Sequence, residues 1–90
     1  MAALPKVNVT VHKEGALRDV IVKVHGQSVN EGGEVDPIDN PSFVQFSFAG
    51  KTAGRLRVEI RNGAGIVYRE EAQLPPNGGS HDSGFRYFAP

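Results

Sequence analysis

The chain has 90 residues, 39% of them apolar, with eleven glycines, six prolines, no cysteine and zero formal net charge at neutral pH. That length makes a single domain, residues 1–90, which buries roughly 60–65% of the surface its unfolded chain exposes. The missing cysteines exclude disulfides and thiolate-bound metals. No run reaches the ~20 apolar residues of a membrane-spanning helix, and zero net charge argues against a general nucleic-acid binder.

From the N-terminus, Met1 to Lys6 has no apolar core of the kind an export signal needs, so cytoplasmic synthesis is expected. Lys6 to His12 then alternates, with Val7, Val9 and Val11 on one face. Arg18 to His25 repeats the pattern with Val20, Val22 and Val24. Phe43 to Phe48 offers Val44, Phe46 and Phe48, and Arg55 to Asn62 places Leu56, Val58 and Ile60 opposite Arg55, Arg57, Glu59 and Arg61. Gly65 to Ala72 reads as a fifth strand of ambiguous facing, and Gly84 to Phe88 as a sixth. Alternation of period two marks strands with one wet and one buried side. Glycines and prolines fall between these runs, and no segment keeps a helical period, so the chain reads as all-β.

The connections refine this. Lys13 to Leu17 predicts a hairpin pairing Val11 with Val20, Val9 with Val22 and Val7 with Val24, which sets His12 opposite Asp19 and Asn8 opposite Lys23. Asn62-Gly63-Ala64-Gly65 predicts a second hairpin, because Asn-Gly supplies the positive φ angles that such turns require. Gly26 to Pro41 is too long for a hairpin; it crosses between sheets or carries a short strand around Val35. Sheets with one apolar face must stack, which predicts an antiparallel β-sandwich of about six to seven strands.

From Phe43 onward the order is an aromatic strand, RLRVEIRNGAGIVYREE, the loop LPPNGG, and a closing FRYF. This resembles the second half of immunoglobulin-like or fibronectin type III-like modules, such as the one in bacterial flagellar hook-capping proteins. The resemblance implies an immunoglobulin-like sandwich and no particular activity.

Several residue groups are chemically suggestive. Gly78-Gly79-Ser80-His81-Asp82-Ser83-Gly84 sets serine, histidine and aspartate side by side, yet neighbours on extended chain point to alternate sides. The flanking prolines and glycines mark it as a turn. His12, His25 and His81 form no H-x-H or H-x-x-x-H pair, so no metal is expected. Asn8-Val9-Thr10 fits a glycosylation acceptor and is expected to be idle in mid-strand. Glu31, Glu34, Asp36 and Asp39 stand in the long connection without a basic residue; their spacing matches no EF-hand, so a solvated or partner-binding loop is expected ahead of a calcium site. Arg55, Arg57 and Arg61 put positive charge on one wet strand, without the interleaved aromatics that single-stranded nucleic acid needs. The two sets together predict weak head-to-tail self-association or a partner of opposite charge.

No cofactor and no catalytic residue follows from these features. The function they support is a non-catalytic structural or interaction module that binds or decorates a larger macromolecular assembly. A phage virion decoration or tail accessory protein is one concrete version. The alternative is a small carbohydrate- or ligand-binding module using Phe43, Tyr68, Phe85, Tyr87 and Phe88. Three of these rings coplanar and facing solvent favour sugar; rings in the core favour the accessory protein.

Overall fold

The alternating runs become strands in the computed structural model, which describes residues 6–36, 39, 41–63 and 65–90. The N-terminal stretch considered for an export signal and Ala64 of the Asn-Gly turn therefore lie outside the described residues, except for Lys6. In chain order the described strands are β1 (Val7–Glu14), β2 (Leu17–Val24), β3 (Gln27–Ser28), β4 (Gly33–Val35), β5 (Ser42–Gly50), β6 (Gly54–Arg61), β7 (Ile66–Leu74), β8 (Gly79–Asp82) and β9 (Arg86–Phe88). They form two antiparallel sheets, β4-β1-β6-β7 and β3-β2-β5-β8, with β9 beside β8 on the same edge of β5. The fold is an antiparallel β-sandwich.

The valines do face inward, but the β1–β2 hairpin predicted from them is not formed. β1 pairs with β6, Val9 opposite Ile60 and Val11 opposite Val58, while β2 pairs with β5, Val22 opposite Phe46 and Val24 opposite Val44. His12 consequently lies opposite Arg57, not Asp19, and Asn8 opposite Arg61, not Lys23. Alternation fixes which side of a strand is buried, and two inward valine stripes satisfy it equally whether strands lie side by side or stack across a core. The link at Gly15 is an arch from one sheet to the other, packed on the second arch between β5 and β6. A Cβ on Gly15 would stand 2.7 Å from the Ala53 carbonyl oxygen, and φ there is +86°.

The long connection does both things expected of it. His25 and Gly26, with φ of 49° and 85°, form a two-residue turn into β3. The chain then crosses to the first sheet, where β4 sets Val35 opposite Val7. The β6–β7 hairpin forms as predicted, closed by the Asn62 amide donating to the Gly65 carbonyl at 3.2 Å.

β5 is bordered on both sides by strands carrying one extra residue. On one side Arg18 pairs with Ala49 but Ile21 with Ser47; on the other Ser47 pairs with Asp82 but Val44 with Arg86. These are β-bulges, which twist a strand and re-aim its side chains. β8 and β9 are thus one strand interrupted at Ser83-Gly84. Between the sheets lie Val22, Val24, Val44, Leu56, Val58 and Ile60 without exposure, and Phe46 and Phe48 at no more than 2%.

Candidate functional site

The two outer faces of the sandwich differ. On the first sheet, strand pairing sets rows Glu14–Arg55–Gln73, His12–Arg57–Glu71 and Thr10–Glu59–Arg69 across β1, β6 and β7. Arg55 binds both Glu14 and Glu71. Glu59, its side chain only 8% exposed, meets Arg57 Nε at 3.2 Å, Arg61 Nη2 at 3.3 Å and Arg69 Nε at 3.8 Å. Burial pushes the Glu59 carboxyl up, but the Arg61 hydrogen bond and the charges of Arg57, Arg69 and Arg61 outweigh it, and the group sits below the usual carboxylate range.

The acidic connection has its own ionic partners. Lys13 binds Glu31 at 2.6 Å, and Lys6 lies 3.2 Å from Glu34 and 3.6 Å from Asp36. Among the described residues, the Asp39 carboxylate meets His25 Nε2, at 3.7 Å. The structure therefore does not bring Glu31, Glu34, Asp36 and Asp39 onto Arg55, Arg57 and Arg61. The acids meet Lys6, Lys13 and His25, Arg55 meets Glu14 and Glu71 from other strands, and Arg57 and Arg61 meet Glu59 of their own strand.

The outer face of the second sheet is built otherwise. Val22, Val24, Val44 and Phe46 point inward, so alternation turns Ile21, Lys23, His25, Phe43, Gln45 and Ser47 outward. β5 carries Phe43 beside Tyr87, and Ser47 between Ile21 and Asp82. Phe43 is the half-buried floor of an aromatic cluster: the His25 ring lies 4.4 Å away, Phe85 meets it edge-on at 5.3 Å and 88°, and Tyr87 at 6.5 Å and 67°. Phe85 is 58% exposed, Tyr87 66% and Ile21 43%. Alongside runs a shallow groove of about 210 Å³ lined by Ile21, Lys23, Gln45, Ser47 and Asp82 over Phe46.

Two local features hold this face. His25 occupies the left-handed region, at φ 49°, because it is the first residue of the β2–β3 turn; such a position for a non-glycine residue costs of order 1–3 kcal/mol. It leaves the imidazole on Phe43. The second feature is the Ser83 bulge. The Ser83 amide donates to the Phe46 carbonyl at 2.9 Å, and the Phe46 amide donates to Ser83 Oγ at 2.9 Å, so the hydroxyl replaces a ladder carbonyl. Gly84 takes φ +65°, its amide donating to Asp82 Oδ1 at 2.9 Å.

The Ser-His-Asp stretch is accordingly strand and bulge, a correction to the turn expected of it. Its turn lies just upstream, where the Gly78 amide donates to the Pro75 carbonyl at 2.8 Å. Gly78 takes φ +79°, and a Cβ there would enter the Gly50–Lys51 backbone. Ser80 and Asp82 are exposed, while His81 turns inward onto Phe46 and Phe48, each 5.7 Å between centroids. The three side chains do not converge. Of the five rings considered for ligand contact, Phe88 is in the core, Tyr68 is half-buried, and Phe43, Phe85 and Tyr87 gather outside. Sequence reasoning missed Ile21, Lys23 and His25 as parts of a site, although an isoleucine at an outward position was the visible signal.

Among the described residues no group of three or more histidines and acids is placed to hold a metal ion, and no helix is long and apolar enough to cross a membrane. No family model, curated protein or solved structure matches the chain.

Proposed function

We propose that the chain is a non-catalytic, immunoglobulin-like interaction module that binds a protein surface of a larger assembly through the outer face of its second sheet. The observation that carries this is the contrast between the faces. One is covered by its own ion pairs, with Ile66 alone exposed at the start of β7; the other gathers exposed Ile21, Phe85 and Tyr87 around a half-buried phenylalanine. Exposed apolar groups gathered within a polar rim mark interaction sites. A virion decoration or tail accessory protein is the concrete version of such a module that we favour.

The ring geometry supports a protein partner ahead of a saccharide. Phe85 and Tyr87 stand steeply to Phe43 and offer walls and a floor, where a sugar ring laid flat asks for a level platform. The test is recovery of partners from the cells that make the chain, using native protein, the double variant F85S/Y87S, and Arg61→Ala on the opposite face. A structural component of an assembly held by native and Arg61→Ala proteins, and lost by F85S/Y87S, is the expected result. Equal recovery by all three overturns the reading.

A further inference from the structure

We infer that this face recognises an extended segment of its protein partner by charge as well as by ring contact. An acidic side chain of the segment meets Lys23, a basic one meets Asp82, and an aromatic or aliphatic one rests on Phe85 and Tyr87. The inference rests on the proposed function and specifies the partner it requires.

Among the described residues, Lys6, Lys13, Arg55, Arg57, Arg61, Arg69 and Arg86 each meet a carboxylate. Among the same described residues, the cations outside that set are Arg18, Lys23 and Lys51, and the acids with no ionic partner are Asp19 and Asp82. An unpaired charge on a surface is ordinary. Here one unpaired cation and one unpaired anion line the same groove, beside the exposed rings.

They cannot serve each other. Lys23 pairs with Gln45 of β5 and Asp82 with Ser47, two residues further along the same strand, so their backbones stand about 12 Å apart diagonally across the sheet. A ligand satisfying both must bridge that span and carry both signs. Extended chain advances ~3.3 Å per residue with alternate side chains on one face, so an acid and a base two to four residues apart fit. Gln45 and Ser47 lie between the charges and supply an amide and a hydroxyl to the segment's polar groups. Phe85 follows Asp82 through the bulge, which places the apolar anchor next to the base. Charge complementarity of this kind selects partners by penalising like charges.

The test is selection from a random-peptide display library on the full chain, repeated on Lys23→Glu, Asp82→Lys and the reciprocal K23E/D82K. The expected consensus holds one acid, one base and one aromatic or large aliphatic residue, and its charges reverse on K23E/D82K. The best native peptide should bind each single variant at least ~10-fold more weakly, with unfolding curves confirming that the variants remain folded. Peptides that need Phe85 and Tyr87 but ignore the charge changes overturn this inference and leave the proposed function standing. No enrichment, or binding confined to a panel of soluble glycans, overturns both.

Discussion

Glu70 of β7 and Arg86 of β9 join the two sheets at one rim, Arg86 Nε donating to Glu70 Oε1 at 3.0 Å. The Tyr68 hydroxyl donates to the same oxygen at 3.1 Å, and its ring lies 6.4 Å from Phe88. Side-chain exposures of 26% for Glu70 and 49% for Arg86 make this a wet ion pair. A double-mutant cycle of Glu70→Ala and Arg86→Ala should therefore give a coupling of only ~0.2–1 kcal/mol by denaturant unfolding. Burial, and then the Glu70 charge, hold the Tyr68 phenol above its ordinary value of 10.0. Folding thus favours the protonated phenol: its contribution is complete below that value and fades as pH rises beyond it. Tyr68→Phe should flatten the alkaline limb of stability against pH; an unchanged limb would mean that the phenol ionises freely in the fold.

Ser83 should behave as a core residue despite its loop-like surroundings. It is 3% exposed, and its hydroxyl receives the Phe46 amide inside the sheet. Ser83→Ala leaves that amide without an acceptor, which costs about 1–3 kcal/mol. Ser80→Ala, one strand turn away and exposed, should shift stability by less than ~0.5 kcal/mol. Comparable losses from both would show that the bulge is not held by the hydroxyl.

The inward faces were legible because period-two alternation is a local property. Leu56, Val58, Ile60, Val22, Val24, Phe46 and Phe48 were all recognisable as core. Neighbour relations are non-local, so the valine stripes of β1 and β2 fit a hairpin in sequence although the two strands lie in different sheets. The same limit applies to Arg55, which looks unopposed until Glu14 and Glu71 are laid beside it. His25 was obscure for another reason. A two-residue turn is announced by Asn-Gly or Asp-Gly, and here histidine takes the asparagine position.

Two isoleucines separate core from surface. Ile60 is fully buried between the sheets, and Ile21 is 43% exposed on the outer face. Ile60→Ala should cost about 2–5 kcal/mol, a large share of the stability of so small a domain. Ile21→Ala should stay within ~0.5 kcal/mol while weakening peptide or partner binding. Unfolding melts and a binding assay on the same two variants separate the roles, and a large stability loss at Ile21 would place it in the core after all.

Glu59 predicts an acid-side effect. Its carboxyl is held below the ordinary 4.5 by the arginines around it, so folding favours the ionised form. Its contribution is complete above that value and is lost as pH falls through it towards the lower folded one. Glu59→Gln should reduce stability at neutral pH and flatten the decline below about 4.5, because three guanidiniums then crowd without a counter-charge. Denaturant midpoints measured stepwise in pH check this. A variant whose profile runs parallel to the native one would mean that the carboxylate gains nothing from folding.

Both charged sets suggested from the sequence are engaged within one molecule, and this bears on self-association. Head-to-tail stacking through the acidic connection and the β6 arginines would have to break Lys6–Glu34, Lys13–Glu31, Arg55–Glu14 and the Glu59 cluster, or use them as shared contacts. Exposed pairs are worth only ~0–1 kcal/mol each, so exchanging internal for intermolecular ones leaves little to offset the entropy of association. Added salt reduces the Debye length to about 3 Å at 1 M and weakens both kinds of pair alike. Sedimentation at low and high salt should accordingly show the same monomer, for native protein and for Arg57→Glu. Association at low salt that disappears with added salt and with Arg57→Glu would instead show that the arginine face binds the acidic connection of a second copy.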